Sequence, residues 1–263
     1  MTQSTHVVRR AIILAAGLGS RLQPITARRP KPLVQVHGVP ILHNALLCLA
    51  HSGIEEVTIV VGYRKEAIIR SCGHHFAGVE ITYCESPLFD RTGSAYSLWL
   101  ARDALSEDTL LLEGDVFFEP EVLSRLLTGD SRDSAAIAPF DATMGGSAVT
   151  LSASNHVQSI HMNQTGDTTA GQDLFKTLNL FKFSAETLAG QLRPALDRLI
   201  QSGAVTAYVE QLLKQLVEQR NVSLDAVHCG DLKWFEIDSL ADLGTAEAIF
   251  GPGRKGDDIR AAE

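Results

Sequence analysis

Two hydrophobic rhythms divide the chain. One is the short apolar run of a buried strand, and the other is the repeat every three or four residues of an amphipathic helix. VVRRAIILAA, residues 7–16, ends in an unbroken apolar run and reads as a buried strand. PILHNALLCLAHS (40–52) has helical spacing and stops at Gly53. The alternation then repeats: EEVTIVVG and YRKEAIIRSC, VEITYC and GSAYSLWLARDAL, DTLLLEGDV and EPEVLSRLLTG, each a strand followed by a helix. Strands alternating with helices predict an α/β fold, a mostly parallel central sheet flanked by helices.

The rhythm changes after Asp130. SAAIAPF, SAVTLSA, HVQSIHM and LFKTLNLFKFS follow one another as strand-like runs, which predicts a mixed sheet or a β-rich extension there, a small β-rich insertion or lid over about 131–183. Helical spacing returns in 185–203 and 206–220, and VSLDAVHC, KWFEID and SLADLGTAEAIF close the pattern as two strands and a helix. The reading is a single domain over 1–250 with a glycine-rich, charged tail over 251–263, expected to be flexible.

Composition narrows the partners. The chain has 263 residues and a net charge of −8, so it lacks the overall basic character that nucleic-acid binding requires. No apolar run approaches the length of a membrane span. Cys48, Cys72, Cys84 and Cys229 are scattered with no C-x-x-C spacing, and a cytoplasmic protein with reduced thiols is the expectation. The apolar elements of 130–220 could supply a homodimer interface.

Against this acidic background the loop after the first run stands out. LAAGLGSRLQPITARRPKPL, residues 14–33, carries glycines, arginines and a lysine at the carboxyl end of a strand, where open α/β sheets bind ligands. Leu14, Ala15, Ala16, Gly17, Gly19 and Ser20 offer backbone amides and close approach, and Arg21 and Lys31 add fixed positive charge. A polyphosphate fits such a loop. G-x-x-x-x-G-K-[ST] is absent and G-x-G-x-x-G is incomplete, so the two commonest phosphate loops are excluded.

The string G-x-G-S-R-L-x-P-x-T followed by P-K-P-L, Gly17 to Leu33, resembles the nucleotidyltransferases that make activated sugars and head groups. That resemblance implies a Rossmann-like nucleotidyltransferase fold, with Arg21 on the β/γ-phosphates and Lys31 at the reacting centre. It also implies Mg²⁺, for which Asp115 in EGDV and Asp238 in FEID match the pattern. Taken alone, each aspartate could be a turn residue or a helix cap. E-G-D-V, the Ser-Leu helix after TGS, FKTLNLFKFS, AYVE and WFEID together resemble the cytidylyltransferases of phosphocholine and of phosphonates such as 2-aminoethylphosphonate.

The implied reaction moves CMP from CTP onto a phosphonate and releases pyrophosphate. Phosphocholine, a sugar 1-phosphate, or a non-catalytic nucleotide-binding role are the alternatives. Gly93 and Ser94, before a helix, could meet the base. For the acceptor, Lys176 could hold the anionic end, Glu210, Tyr208 and Trp234 could face a cationic end, and Glu236 is a further substrate contact. Glu113 shares a strand face with Asp115, as Glu236 does with Asp238, which makes it a further candidate near the metal or the substrate.

Overall fold

The computed structural model describes residues 7–141, 144–165 and 173–251. Apart from Gly251, the expected tail lies outside the described residues.

The first half of the chain runs β1 (Arg10–Ala15), β2 (Gln35–Val36), β3 (Val39–Pro40), α1 (Ile41–His51), β4 (Glu56–Val61), α2 (Lys65–Cys72), β5 (His75–Phe76), β6 (Val79–Glu85), α3 (Ser94–Leu100), β7 (Thr109–Glu113), β8 (Val116–Phe118) and α4 (Glu121–Thr128). The second half runs β9 (Ser134–Pro139), β10 (Gly145–Leu151), β11 (Val157–Thr165), β12 (Phe175–Phe183), α5 (Ala185–Thr187), α6 (Arg193–Gln201), α7 (Val209–Glu218), β13 (Asp225–His228), β14 (Trp234–Glu236) and α8 (Leu240–Phe250).

The main sheet has the order β11-β10-β12-β7-β1-β4-β6-β5, with β9 beside β12 and β13 beside β9. β1 lies parallel to both β4 and β7, and β4 lies parallel to β6. The continuous apolar runs of these strands follow from burial on both faces. In β1, Ala11, Ile13 and Ala15 face one core with α1 and α4, while Ile12 and Leu14 face the other with α3, α6 and α7. Strand side chains alternate between faces, so one short run serves two cores. A third, smaller core joins Leu22, Val34, Val36 and Ile41 to Phe117, Ile237 and Ala246, and so anchors the first loop to β8 and α8.

The β-rich segment takes the form of an extension of the main sheet, one of the forms expected for it. β12 pairs antiparallel with β7 through Leu180–Leu112 and Phe181–Leu111, so β9 to β12 extend the main sheet. The reason lies in β12 itself. Leu178 and Leu180 enter one core and Phe181 and Phe183 the other. A strand apolar on both faces cannot stand in a lid with one face in water. Among the described residues no helix is long and apolar enough to cross a membrane.

Candidate active site

A cleft of ≈ 430 Å³ opens at the carboxyl ends of β1 and β7. Leu14 to Arg21 and Lys31 line one side, Gly93, Ser94 and Tyr208 a second, and Glu113, Asp115, Gly146, Ser147, Glu210, Glu236 and Asp238 the interior. Thus the sequence candidates of the loop, both aspartates and three of the acceptor candidates converge on one space. β1 and β7 come close because Gly114 donates its amide to the Leu14 carbonyl at 2.9 Å. A Cβ at Gly114 would stand 2.9 Å from that same carbonyl oxygen.

The loop is built around its lysine. Gly19 has φ +64°, and a Cβ there would meet the Lys31 Cβ at 2.7 Å. The Thr26 hydroxyl donates to the Gly19 carbonyl at 2.8 Å. Gly19 is therefore required by the left-handed turn and by the passage of Lys31, whereas Gly17 has open space around its missing Cβ. Tyr63 and Arg64 clamp the far side of the loop: the Tyr63 hydroxyl donates to the Thr26 carbonyl at 3.0 Å and Arg64 to the Ala27 carbonyl at 2.6 Å. This clamp is not visible in the sequence, because it lies after β4 and outside the motif.

Lys31 Nζ sits 2.9 Å from Asp115 Oδ2 and 2.5 Å from Asp238 Oδ1. Arg21 reaches Asp238 Oδ2 at 3.0 Å with its side chain 72% exposed, so this guanidinium remains open to a ligand. Burial alone would lower the Lys31 pKa, but the two carboxylates outweigh it and hold the ammonium above the ordinary lysine value. Burial would conversely raise Asp238, and the charges and hydrogen bond of Lys31, with Arg21, pull it below the usual carboxylate range.

Asp115 Oδ1 is buried without a hydrogen-bond partner. Among the described residues no group of three or more His, Cys, Asp or Glu side chains is placed to hold a metal. Two carboxylates with one unused oxygen suit Mg²⁺, which takes one or two carboxylates and completes its shell with water and phosphate oxygens.

Lys176, an acceptor candidate, is not among the residues lining the cleft; it lies behind Glu236, 2% exposed, with its Nζ 2.8 Å from Glu236 Oε2. Gly146, at φ +107°, makes this pair reachable: a Cβ there would stand 3.1 Å from Lys176 Nζ. Asn179 lies where the β12–β9 register shifts and has φ 56°, and its amide donates to Glu236 Oε1 at 3.0 Å. Bulges re-aim side chains in this way. Ser147 donates to Glu210 Oε1 at 3.3 Å. Burial, with the neighbouring charges of Glu210, Asp115 and Glu236, raises Glu113 well above the usual glutamate value despite Lys31. Burial also raises Glu236 and Glu210, although Lys176 opposes it in both.

Three candidates fare differently. Trp234 does not reach the cleft; it is 7% exposed, pairs with Phe118 across β14–β8 and packs in a core. Glu236, two residues further along at the end of β14, lines the cleft instead. Tyr208 lines the cleft but is 56% exposed. Ser94 does not cap its own helix: its hydroxyl accepts the Val209 amide at 2.9 Å, tying α3 to the start of α7. Gly93 is glycine because a Cβ would collide with the Ala207 carbonyl at 2.2 Å. Ser147 and Asn179 gave little sequence signal, since a small polar residue in a strand is common.

Residues 10–145 match the family described as Nucleotidyl transferase. The chain is 34% identical over 247 residues to the CMP-5'-(3-aminopropyl)phosphonate synthase of Streptomyces rubellomurinus, covering 94% of this chain but 39% of that protein. It therefore spans less than half the length of that relative. It is 26% identical over 239 residues to the 2-aminoethylphosphonate cytidylyltransferase of Lancefieldella rimae, covering 89% of each. A solved CTP:phosphocholine cytidylyltransferase from Streptococcus pneumoniae superposes with a TM-score of 0.75 at 23% identity, over 93% of this chain and 100% of the other, a likeness of fold. The matched span holds β1, the lysine-centred loop and Asp115, and the rest of the chain brings Asp238 back to the same cleft; the chain belongs to the nucleotidyl transferase family.

Proposed function

We propose that the chain is a Mg²⁺-dependent cytidylyltransferase that moves CMP from CTP onto a phosphonate such as 2-aminoethylphosphonate. The observation that carries this reading is Lys31, held between Asp115 and Asp238 at the mouth of the glycine loop. The choice of CTP and of a phosphonate is supported by the names of the two phosphonate-handling relatives, which align over most of this chain.

In the reaction a phosphonate oxygen attacks the α-phosphorus of CTP, the new P–O bond forms, and the bond to the bridging oxygen of pyrophosphate breaks. The acceptor oxygen is already anionic near neutral pH, so no general base is needed. Catalysis comes from positioning and from charge. Asp115 and Asp238 would hold Mg²⁺, which supplies neutralisation of the phosphate oxygens. Lys31 would turn from the carboxylates toward the phosphates when these arrive, and Arg21, already exposed, would meet the leaving pyrophosphate. Leu14 to Ser20 would cradle the nucleotide. Ser94, whose hydroxyl oxygen accepts the Val209 amide, would donate its proton to the base. Lys176, held by Glu236, would draw the phosphonate into the cleft.

The test is pyrophosphate release with Mg²⁺ across CTP, UTP, ATP, GTP and dTTP, each with 2-aminoethylphosphonate, phosphocholine or glucose 1-phosphate. Release with CTP and 2-aminoethylphosphonate is expected. Release only with glucose 1-phosphate, or with none of the acceptors, would sink this reading.

A further inference from the structure

The cleft holds more carboxyl groups than its own cations answer. Of its five carboxylates, Asp115 and Asp238 share Lys31, Asp238 also meets Arg21, and Glu236 meets Lys176. Glu113 and Glu210 have no cation within ion-pair distance among the described residues. Glu210 is 9% exposed, spends one oxygen on the Ser147 hydroxyl and leaves Oε2 without a partner. Glu113 Oε1 is likewise buried and unpartnered. Glu113 ends β7 and Glu210 stands in the first turn of α7, so two distant elements present unused carboxylate oxygens to one space. Buried carboxylate oxygens without partners cost stability, and a group that arrives with N–H donors and positive charge removes that cost.

A quaternary ammonium has no N–H to offer and is held by aromatic faces. Among the cleft-lining residues only Phe89 and Tyr208 are aromatic. Phe89 packs on Tyr63 and Gly62 beneath the loop, and Tyr208 is mostly in solvent. Neither forms a cage.

We infer that Glu210 and Glu113 form a specificity site for the primary ammonium end of the acceptor, and that this site selects an aminoalkylphosphonate over alkyl and trimethylammonium analogues. The inference rests on the phosphonate reading above. The acceptor then lies across the cleft, its phosphonate toward Lys31 and Lys176 and its ammonium donating hydrogen bonds to Glu210 Oε2 and Glu113 Oε1.

The experiment compares kcat/KM, with CTP and Mg²⁺, for 2-aminoethylphosphonate, its N,N,N-trimethyl analogue and propylphosphonate, in which a methyl replaces the ammonium. The expected order is primary amine first, with a loss of about 100-fold or more for propylphosphonate, since a site built to hydrogen-bond a group rejects the analogue lacking it. The trimethyl analogue should also fall well behind. Glu210→Gln should shrink the ratio of amine to propylphosphonate to about tenfold or less, with the loss in KM for the amine. Turnover of propylphosphonate or the trimethyl analogue within about threefold of the amine would overturn the site and leave its carboxylates to another occupant, such as a second metal ion. A Glu210→Gln ratio unchanged from that of the wild type would do the same. Silence with all three acceptors would instead bring down the phosphonate reading and this site with it. Should Glu210→Gln fail to fold, the wild-type series decides alone.

Discussion

The two ends of the cleft are made in opposite ways. In the proposed reaction the nucleotide end is one continuous stretch, Gly17 to Leu33, folded over a small core and closed by two aspartates at strand ends. The proposed acceptor end is assembled from β7, β10, β12, α7 and β14, each contributing one or two side chains. A phosphate group is the same in every nucleotide, so a local loop of fixed shape can serve it. An acceptor is recognised at both its ends, and only residues brought from separate elements can span that distance. The first end depends on backbone conformation, and the second on buried charge.

The sharpest way to break this comparison is at Asp115, which belongs to the first end but borders the second. Asp115→Asn keeps the shape and removes one charge. Lys31 retains Asp238, so the fold should persist. Turnover should fall by about 10²–10³-fold, the usual effect of removing one preorganised electrostatic group. Far-ultraviolet circular dichroism and pyrophosphate release measured together check this; activity within tenfold of the wild type would mean that Asp115 does not hold the metal.

The same contrast decides what the sequence could reveal. Strands β1, β4 and β7 are legible because burial on both faces leaves an apolar run in one dimension. Lys31, Arg21, Asp115 and Asp238 are legible because the loop is contiguous and each aspartate ends a readable strand. Ser147 and Asn179 are not, since their role comes from a neighbour far away in the chain: Glu210 in one case and Glu236 in the other. Trp234 shows the converse error. Its aromatic face suggested a cation contact, but the ring packs in the core at the start of β14, while Glu236 at the end of that strand lines the cleft. How the β-rich segment over 131–183 joins the rest was hidden for a related reason. A run of short strands says that a sheet exists, while β12 pairing with β7 is a long-range fact.

The two loop glycines give a sharper test of the backbone argument. Gly19→Ala forces a side chain into φ +64° and against Lys31, whereas Gly17→Ala meets nothing within 4 Å. Gly19→Ala should cost about 1–2 kcal/mol of stability from the left-handed conformation. It should also raise the KM for CTP, because Lys31 must move. Gly17→Ala should leave stability within about 0.5 kcal/mol of the wild type and weaken CTP alone. Urea unfolding and CTP titration separate the two. Equal stability losses would mean that the loop has no fixed scaffold role for Gly19.

The smallest expected effect lies at the acceptor end, where buried charge replaces backbone strain. Glu210 faces Glu113 and Asp115 from β7 and its flank, Lys176 from β12 and the Ser147 hydroxyl from β10. Burial, joined by Asp115, raises its pKa in the fold, with Lys176 and Ser147 opposing. The folded chain therefore holds this proton more tightly than the unfolded chain does. The stability that follows is full below the unfolded glutamate value, about 4.3, and is lost as pH rises through the higher folded value. Glu210→Gln is neutral throughout and escapes that loss. Without ligands it should match the wild type near pH 4 and exceed it near pH 7.5 by on the order of 1 kcal/mol, seen as a higher thermal midpoint. A variant no more stable than the wild type at pH 7.5 would mean that the Glu210 carboxylate already has its counter-ion in the free protein. The ammonium of the acceptor would then have no unmet charge to answer.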